Sequence, residues 1–217
     1  MIYHHIPWNK KKCIGTAYNE ILSLYKDEDW VTVIDADAMH TTNEWYKELE
    51  AAILKYPNAM GFGSRSNRLR TVQQMVMGVD IDNHDMFYHR RIGGVLASKF
   101  KDHATPHFDK DHAGHFTGLW FAFNVGFMKK VGGFHVSGDQ TLVDNWFHKK
   151  IVDEGKEFYI LDAVYVYHWY RADNEYPDFM STRKTMQKSF YDNFKLTRNV
   201  KYTMKDEKSA DVSLELI

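Results

Sequence analysis

Trp30-Val-Thr-Val-Ile-Asp-Ala-Asp37, followed by Ala38-Met-His-Thr-Thr42, decides how this chain folds. The run from Trp30 to Ile34 is apolar or β-branched without alternation, the pattern of a strand buried on both faces. Two carboxylates, Asp35 and Asp37, follow just where such a strand leaves its sheet. In open α/β sheets the ligand crevice lies outside the carboxyl ends of the strands. Acids one residue apart at that place can share a hard divalent cation, directly or through water. A metal–diphosphate site at the end of this strand is therefore the first expectation.

Upstream of it, Ile2 to Ile6 reads as a short first strand stopped by Pro7, and the polar, basic stretch Asn9 to Lys12 leads into a helix. Ile14, Ala17, Tyr18, Ile21, Leu22 and Tyr25 recur at helical spacing and make one apolar stripe over 15–25, with Asn19 off the stripe. Downstream, Thr41 and Glu44 have capping-box spacing; Trp45, Leu49, Ala52, Ile53 and Tyr56 line one helical face, and Pro57 ends it. Ala59 to Gly63 is another short strand. The opening third is thus β-α-β-α-β, the pattern of a mostly parallel sheet.

From Ser64 to Gly114 periodicity is weak, which predicts a long excursion with a helix or two. Thr117 to Met128 restores a strand-like run, Val131-Gly-Gly-Phe134 is a turn, and Leu142, Val143, Trp146, Phe147 and Ile151 predict a helix closed by Gly155. Phe158 to Tyr167 reads as a last strand or hairpin. Beyond Pro177 the chain is charged and weakly amphipathic.

The 217 residues suit one domain with a full core, and 44% hydrophobic with 15% aromatic content excludes a disordered chain. With 28 Lys+Arg against 29 Asp+Glu, no bulk charge favours nucleic acid as partner. The single Cys13 excludes an intrachain disulfide framework, and the first residues lack the basic-then-apolar pattern of a secretory signal. A cytoplasmic location is the expectation. The longest apolar stretch, Leu119 to Met128, is too short to span a bilayer, so membrane contact is expected to be peripheral at most.

The order of these pieces resembles the GT-A glycosyltransferases, in particular glycosyltransferase family 2 and its relatives. The matching stretches are Gly15-Thr-Ala-Tyr-Asn19, similar to the family's G-x-A-x-N helix start; Val33-Ile-Asp-Ala-Asp37, similar to its D-x-D strand; Thr117-Gly118 through Val131-Gly-Gly-Phe134, similar to its acceptor-side strand and turn; Gly138-Asp139 with Leu142, similar to its E-D-x-x-L helix; and His168, similar to its late metal-binding histidine. They cover most of 15–171. The resemblance implies a compact α/β, GT-A-like catalytic domain over 1–217. In it, 1–63 is the nucleotide-sugar and metal half, 64–176 the acceptor and catalytic half, and 177–217 a helical extension and tail. Only one strand and one helix precede Asp35 where the family usually has two further strand–helix steps, so the nucleotide-binding half is reduced. Gly138 stands where the family has Glu, and Asn145 near where it commonly has Arg.

What the resemblance implies chemically is a metal-dependent glycosyltransferase, inverting, with a nucleoside-diphosphate sugar as donor (a UDP-sugar favoured) and a carbohydrate or other hydroxyl acceptor. Asp37, Asp35 and His168 are its candidate ligands for Mn²⁺ or Mg²⁺, and Asp139 its candidate base. Asp35, Gly15, Asn19, Arg65 and Arg171 are the candidate donor contacts. From the residues alone, Ser137 and Gln140 also have capping-box spacing, which would make Asp139 a first-turn acid favourable to a helix dipole. Arg65 falls in a cluster with Arg68 and Arg70 that reads equally as a solvated basic loop. His103, His107, His112 and His115 invite a zinc reading, but no spacing pairs them with a cysteine. Trp8 and Tyr3 are candidates to stack on a base.

Two rival functions remain at this level. In a phosphohydrolase of the haloacid-dehalogenase type, Asp35-Ala-Asp37 would supply the nucleophile, Lys129 or Lys130 the cation, and Gly138-Asp139 with Asp144 the distal acids. In a non-catalytic carbohydrate-binding protein, the glycosyltransferase shape would persist without turnover.

Overall fold

The computed structural model describes residues 1–11, 13–67, 69, 72–76, 78–80, 82–107, 116–136, 143–169, 200–204 and 212–216. Its elements run β1 (Ile2–His5), α1 (Ile14–Leu22), β2 (Trp30–Ile34), β3 (Ala38–His40), α2 (Trp45–Lys55), β4 (Ala59–Ser66), α3 (Met86–Lys99), β5 (Ala104–Pro106), β6 (Trp120–Asn124), α4 (Val125–Lys130), α5 (Val143–Asp153) and β7 (Glu157–His168). A separate antiparallel pair, β8 (Val200–Met204) and β9 (Val212–Leu216), completes them. No helix among the described residues is long and apolar enough to cross a membrane.

Seven strands form one sheet in the order β1-β2-β6-β4-β7-β3, with β5 also on β7. β1 and β2 pair parallel, as do β4 and β7. β6 is inserted antiparallel between β2 and β4, and β3 and β5 lie antiparallel on β7. The fold is α/β as expected, but the sheet is mixed rather than mostly parallel. The reason is that β6 arrives from the second half of the chain and enters antiparallel between β2 and β4.

Every residue of β2 is buried, as an unalternated run requires. Val31 and Val33 face a core of Tyr18 and Ile21 from α1, Phe121 and Phe123 from β6, and Phe147 and Ile151 from α5. Trp30 and Ile34 face the opposite core, with Leu49 and Ala52 of α2 and Trp120, Val164 and Val166. α3 closes a third cluster by laying Ile92 and Leu96 against Ala163 and Tyr165. Phe147 is fully buried among aromatic neighbours, a position where truncation to Ala costs about 3–5 kcal/mol.

The sheet curls until its two terminal strands meet. The His4 ring on β1 lies 5.4 Å from that of His40 on β3 and 5.0 Å from Trp45 at the start of α2. The expected capping box does not form. α2 starts at Trp45 with no side-chain cap, and Thr41 instead donates its hydroxyl to the Tyr165 carbonyl at 2.7 Å, tying β3's exit to β7.

Candidate metal centre

β2 ends at Ile34, and the Asp35 N–H donates to the Leu119 carbonyl at 2.8 Å, which fixes the first acid beside the residue that leads into β6. The chain then turns once and pairs as β3 with the end of β7, Ala38 opposite His168 and His40 opposite Val166. This three-residue strand assembles the centre, because it brings a histidine from the far end of the chain beside Asp37. The Trp169 N–H donates to the Asp37 carbonyl at 2.9 Å. The His168 N–H donates to Asn67 Oδ1 at 2.8 Å, and Asn67 Nδ2 donates to the His168 carbonyl at 3.3 Å. His168 is therefore held by its backbone on two sides, which leaves its ring to face Asp37, with Nε2 3.5 Å from Oδ1.

One ligand atom from each of Asp35, Asp37 and His168 falls within 4.8 Å of the others, close enough to contact one cation. The donor set, two carboxylates and one imidazole, fits a hard or borderline divalent ion such as Mn²⁺ or Mg²⁺. Electrostatics point the same way. Burial pushes the Asp35 carboxyl up to about 7; the charges of Asp37 and Asp144 add to that, while His168 opposes it. Asp37 is held below the usual carboxylate range, chiefly by its hydrogen bond to His168. Two acids, one of them poorly solvated, face a single histidine, so the site carries more negative charge than its own residues neutralise.

Asp144 is an acid that the sequence offered only within the phosphohydrolase rival. It lies in the first turn of α5, and its Oδ2 accepts the Gly118 N–H at 2.9 Å. Leu119, the next residue, is the one whose carbonyl holds Asp35. Asp144 thus sits one dipeptide from the metal cluster, and its charge is felt both by Asp35 and by the buried Tyr18 hydroxyl, which burial holds well above its usual range. The available signal was the eleven-residue interval from Asp144 to the helix-closing Gly155, one helix of the observed length. Asp139, the expected base, lies outside the described residues, as do Arg171, Arg68, Arg70, His112 and His115.

The other expected donor contacts hold the scaffold. Asn19 donates to the Phe134 carbonyl at 2.9 Å and accepts the Phe134 N–H at 2.7 Å, pinning the Val131-Gly-Gly-Phe134 turn onto α1. Gly133 makes this approach possible at φ +80°, since a Cβ there would meet Asn19 Oδ1 at 2.6 Å. Gly15 does the same at the helix start, where a Cβ would lie 2.0 Å from the His135 carbonyl oxygen. Arg65 requires a correction. Its side chain is fully buried, its Nε donates to Asp162 Oδ1 at 2.8 Å and a second guanidinium nitrogen also binds Asp162. Thr105 and His103 complete that carboxylate, so Arg65 is internal and not poised over a ligand. Of the two lysines that the phosphohydrolase reading offers, Lys130 lies 3.6 Å from Glu154. Lys129 Nζ binds Asp27 at 2.9 Å and the Tyr25 carbonyl at 2.8 Å, before the start of β2 and so at the end of that strand opposite Asp35. Trp8 is 77% exposed just after β1, whose parallel pairing with β2 sends it toward the same sheet edge as Asp35.

No protein-family model and no curated protein sequence matches the chain, so its reading rests on the geometry of this centre.

Proposed function

We propose that the protein is a metal-dependent glycosyltransferase that moves a sugar from a nucleoside diphosphate, a UDP-sugar favoured, to an acceptor hydroxyl with inversion. The observation that carries the reading is the convergence of Asp35, Asp37 and His168 at the carboxyl end of β2 through the β3–β7 pairing. Asp37 and His168 would hold the cation, the histidine as neutral imidazole, with Asp35 as third ligand or as acceptor for donor hydroxyls. When bound, the cation supplies Lewis-acid neutralisation of the leaving diphosphate, a contribution of several kcal/mol.

Asp144 supports the other half of the reaction. As base it takes the acceptor hydroxyl proton while the acceptor oxygen bonds to the anomeric carbon and the bond from that carbon to the diphosphate breaks. A positioned base contributes about 10²–10⁴-fold. Asp139, the base that the family resemblance implies, is the other candidate for this role. The test is release of nucleoside diphosphate from a panel of nucleotide sugars with Mn²⁺, with and without chelator and acceptor. Metal-dependent, acceptor-stimulated release is the expected result. Hydrolysis of simple phosphate esters, or nucleotide-sugar binding without turnover, would replace the reading with one of its two rivals.

A further inference from the structure

Beside the metal ligands stands an aromatic group that the centre itself does not use. Trp169 follows His168 directly and its backbone is tied to Asp37, yet its side chain is 47% exposed. The indole lies 4.8 Å from the His84 ring at an interplanar angle of 39°. His84 is fixed in turn by a 2.8 Å hydrogen bond between Nδ1 and the Tyr167 hydroxyl, and Tyr167 packs 4.3 Å from His89 of α3. The indole is thus buttressed by a column of rings. Its Nε1–H has no partner among the described residues. A large, exposed, rigidly backed aromatic surface with a spare donor, one residue from a candidate cation site, is an arrangement that small-ligand pockets use for orientation.

We propose that the Trp169 indole, backed by His84, is the surface on which the carbon–hydrogen face of a hexopyranose ring stacks beside the metal centre. The chemistry fits. One face of a pyranose presents several axial C–H groups that pack on an aromatic ring, while its equatorial hydroxyls point outward to solvent and neighbouring polar groups. The inference rests on the glycosyl-transfer reading. The ring belongs either to the transferred sugar of the donor or to the acceptor, and the two sources share this chemistry.

The test uses the full chain labelled with 5-fluorotryptophan, whose six tryptophans give separate ¹⁹F signals, with W169F assigning the one that matters. It is titrated with diamagnetic Mg²⁺ and UDP; with Mg²⁺ and the nucleotide sugars of glucose, galactose, mannose and N-acetylglucosamine; and with the methyl glycosides of the same sugars in the presence of Mg²⁺ and UDP. A Trp169 signal that moves with a nucleotide sugar and not with UDP assigns the platform to the donor's sugar. One that moves with a methyl glycoside assigns it to the acceptor. In either case W169A should weaken that sugar's binding about tenfold while W169Y restores most of it, and an unchanged melting temperature separates this from a packing role. If calorimetry shows a sugar ligand binding while the Trp169 signal stays still, the platform is wrong and glycosyl transfer stands. A methyl glycoside that moves the signal when no nucleotide binds would keep the platform and remove the transferase reading. No binding by any ligand overturns both.

Discussion

Two acid–histidine clusters lie on the same strand of this protein, six residues apart, and they differ in one respect. At Asp162 the carboxylate is fully buried and fully answered: Arg65 supplies two donors, Thr105 a hydroxyl and His103 a ring nitrogen. At His168 the balance is reversed, with Asp35 and Asp37 facing one imidazole and Asp144 close enough to raise Asp35 further. The first cluster is closed and electrically matched, which is what a structural ion pair looks like. The second is open, with a surplus of negative charge at a sheet edge where ligands bind. A cluster left unneutralised by its own residues invites a cation; a neutralised one does not.

The sharpest way to break this contrast is Asp37→Asn. Losing a ligand whose cation supplies several kcal/mol should lower metal-dependent transfer on the order of 10³-fold, while the melting temperature stays close to that of the parent. Activity assays under saturating Mn²⁺ alongside thermal melts check both halves. Wild-type turnover in this variant would remove Asp37 from the centre.

Asp162→Ala should do the opposite. It strands the Arg65 guanidinium at a fully buried position, and breaking a buried pair by deleting one partner costs about 3–5 kcal/mol. Urea unfolding reads this directly. If Asp162→Ala and Asp37→Asn shift the midpoint equally, the two clusters do not differ in the way described.

Asp35→Asn tests the surplus itself. Replacing a poorly solvated carboxylate that faces Asp37 and Asp144 relieves repulsion, so the metal-free protein should gain about 1–2 kcal/mol at pH 8. The same variant should gain less from added Mn²⁺ than the parent does, since binding to the native state is what stabilises. A loss of stability without metal would mean that Asp35 is held by contacts rather than strained by charge.

Much of this contrast was legible in the chain before it folded, but unevenly. Trp30 to Asp37 announced a buried strand with acids at its end, and the stripe from Ile14 to Tyr25 announced α1, although the helix already ends at Leu22, because local periodicity is all those elements need. The partner of Asp37 was not legible from spacing. β3 has only three residues, Ala38-Met-His40, too few for any period, and its pairing with β7 spans well over a hundred positions. His168 came forward only through a family resemblance. Arg65 was misread because Ser-Arg-Ser-Asn looks like a solvated loop. Its burial follows from Asp162, in the stretch where β7 slips against β4 so that Ser64 faces Leu161 and Arg65 faces Tyr165. α3 was seen only as a vague excursion, since His89 and Gly93 take two of the four buried positions on its inner face, beside Ile92 and Leu96. Gly93 is nevertheless required there, as a Cβ would come 2.0 Å from the Thr41 hydroxyl that ties β3 to β7.

The smallest expected effect separates missing hydrogen bonds from missing charge. His40 stacks on Trp45 at 4.4 Å, and both of its ring nitrogens are buried without a partner among the described residues. Burial, helped by the nearby His4, pulls its pKa down to about 3. The unfolded chain takes up a proton as pH falls through about 6.5 while the folded one does not until about 3. Stability is therefore fully present above pH 6.5 and declines as pH drops toward 3. The full difference amounts to about 2 kcal/mol by pH 5, and roughly half that is expected because the side chain keeps some solvent contact. His40→Phe keeps the stack and removes the titration, so denaturation curves at pH 7.5 and pH 5 should lie closer together for the variant than for the parent. If surplus charge and not unpaired polarity marks the functional centre, Mn²⁺ activation should have the same midpoint in both proteins. A shifted midpoint would extend the centre along β3 to His40 and make its unpartnered nitrogens part of it.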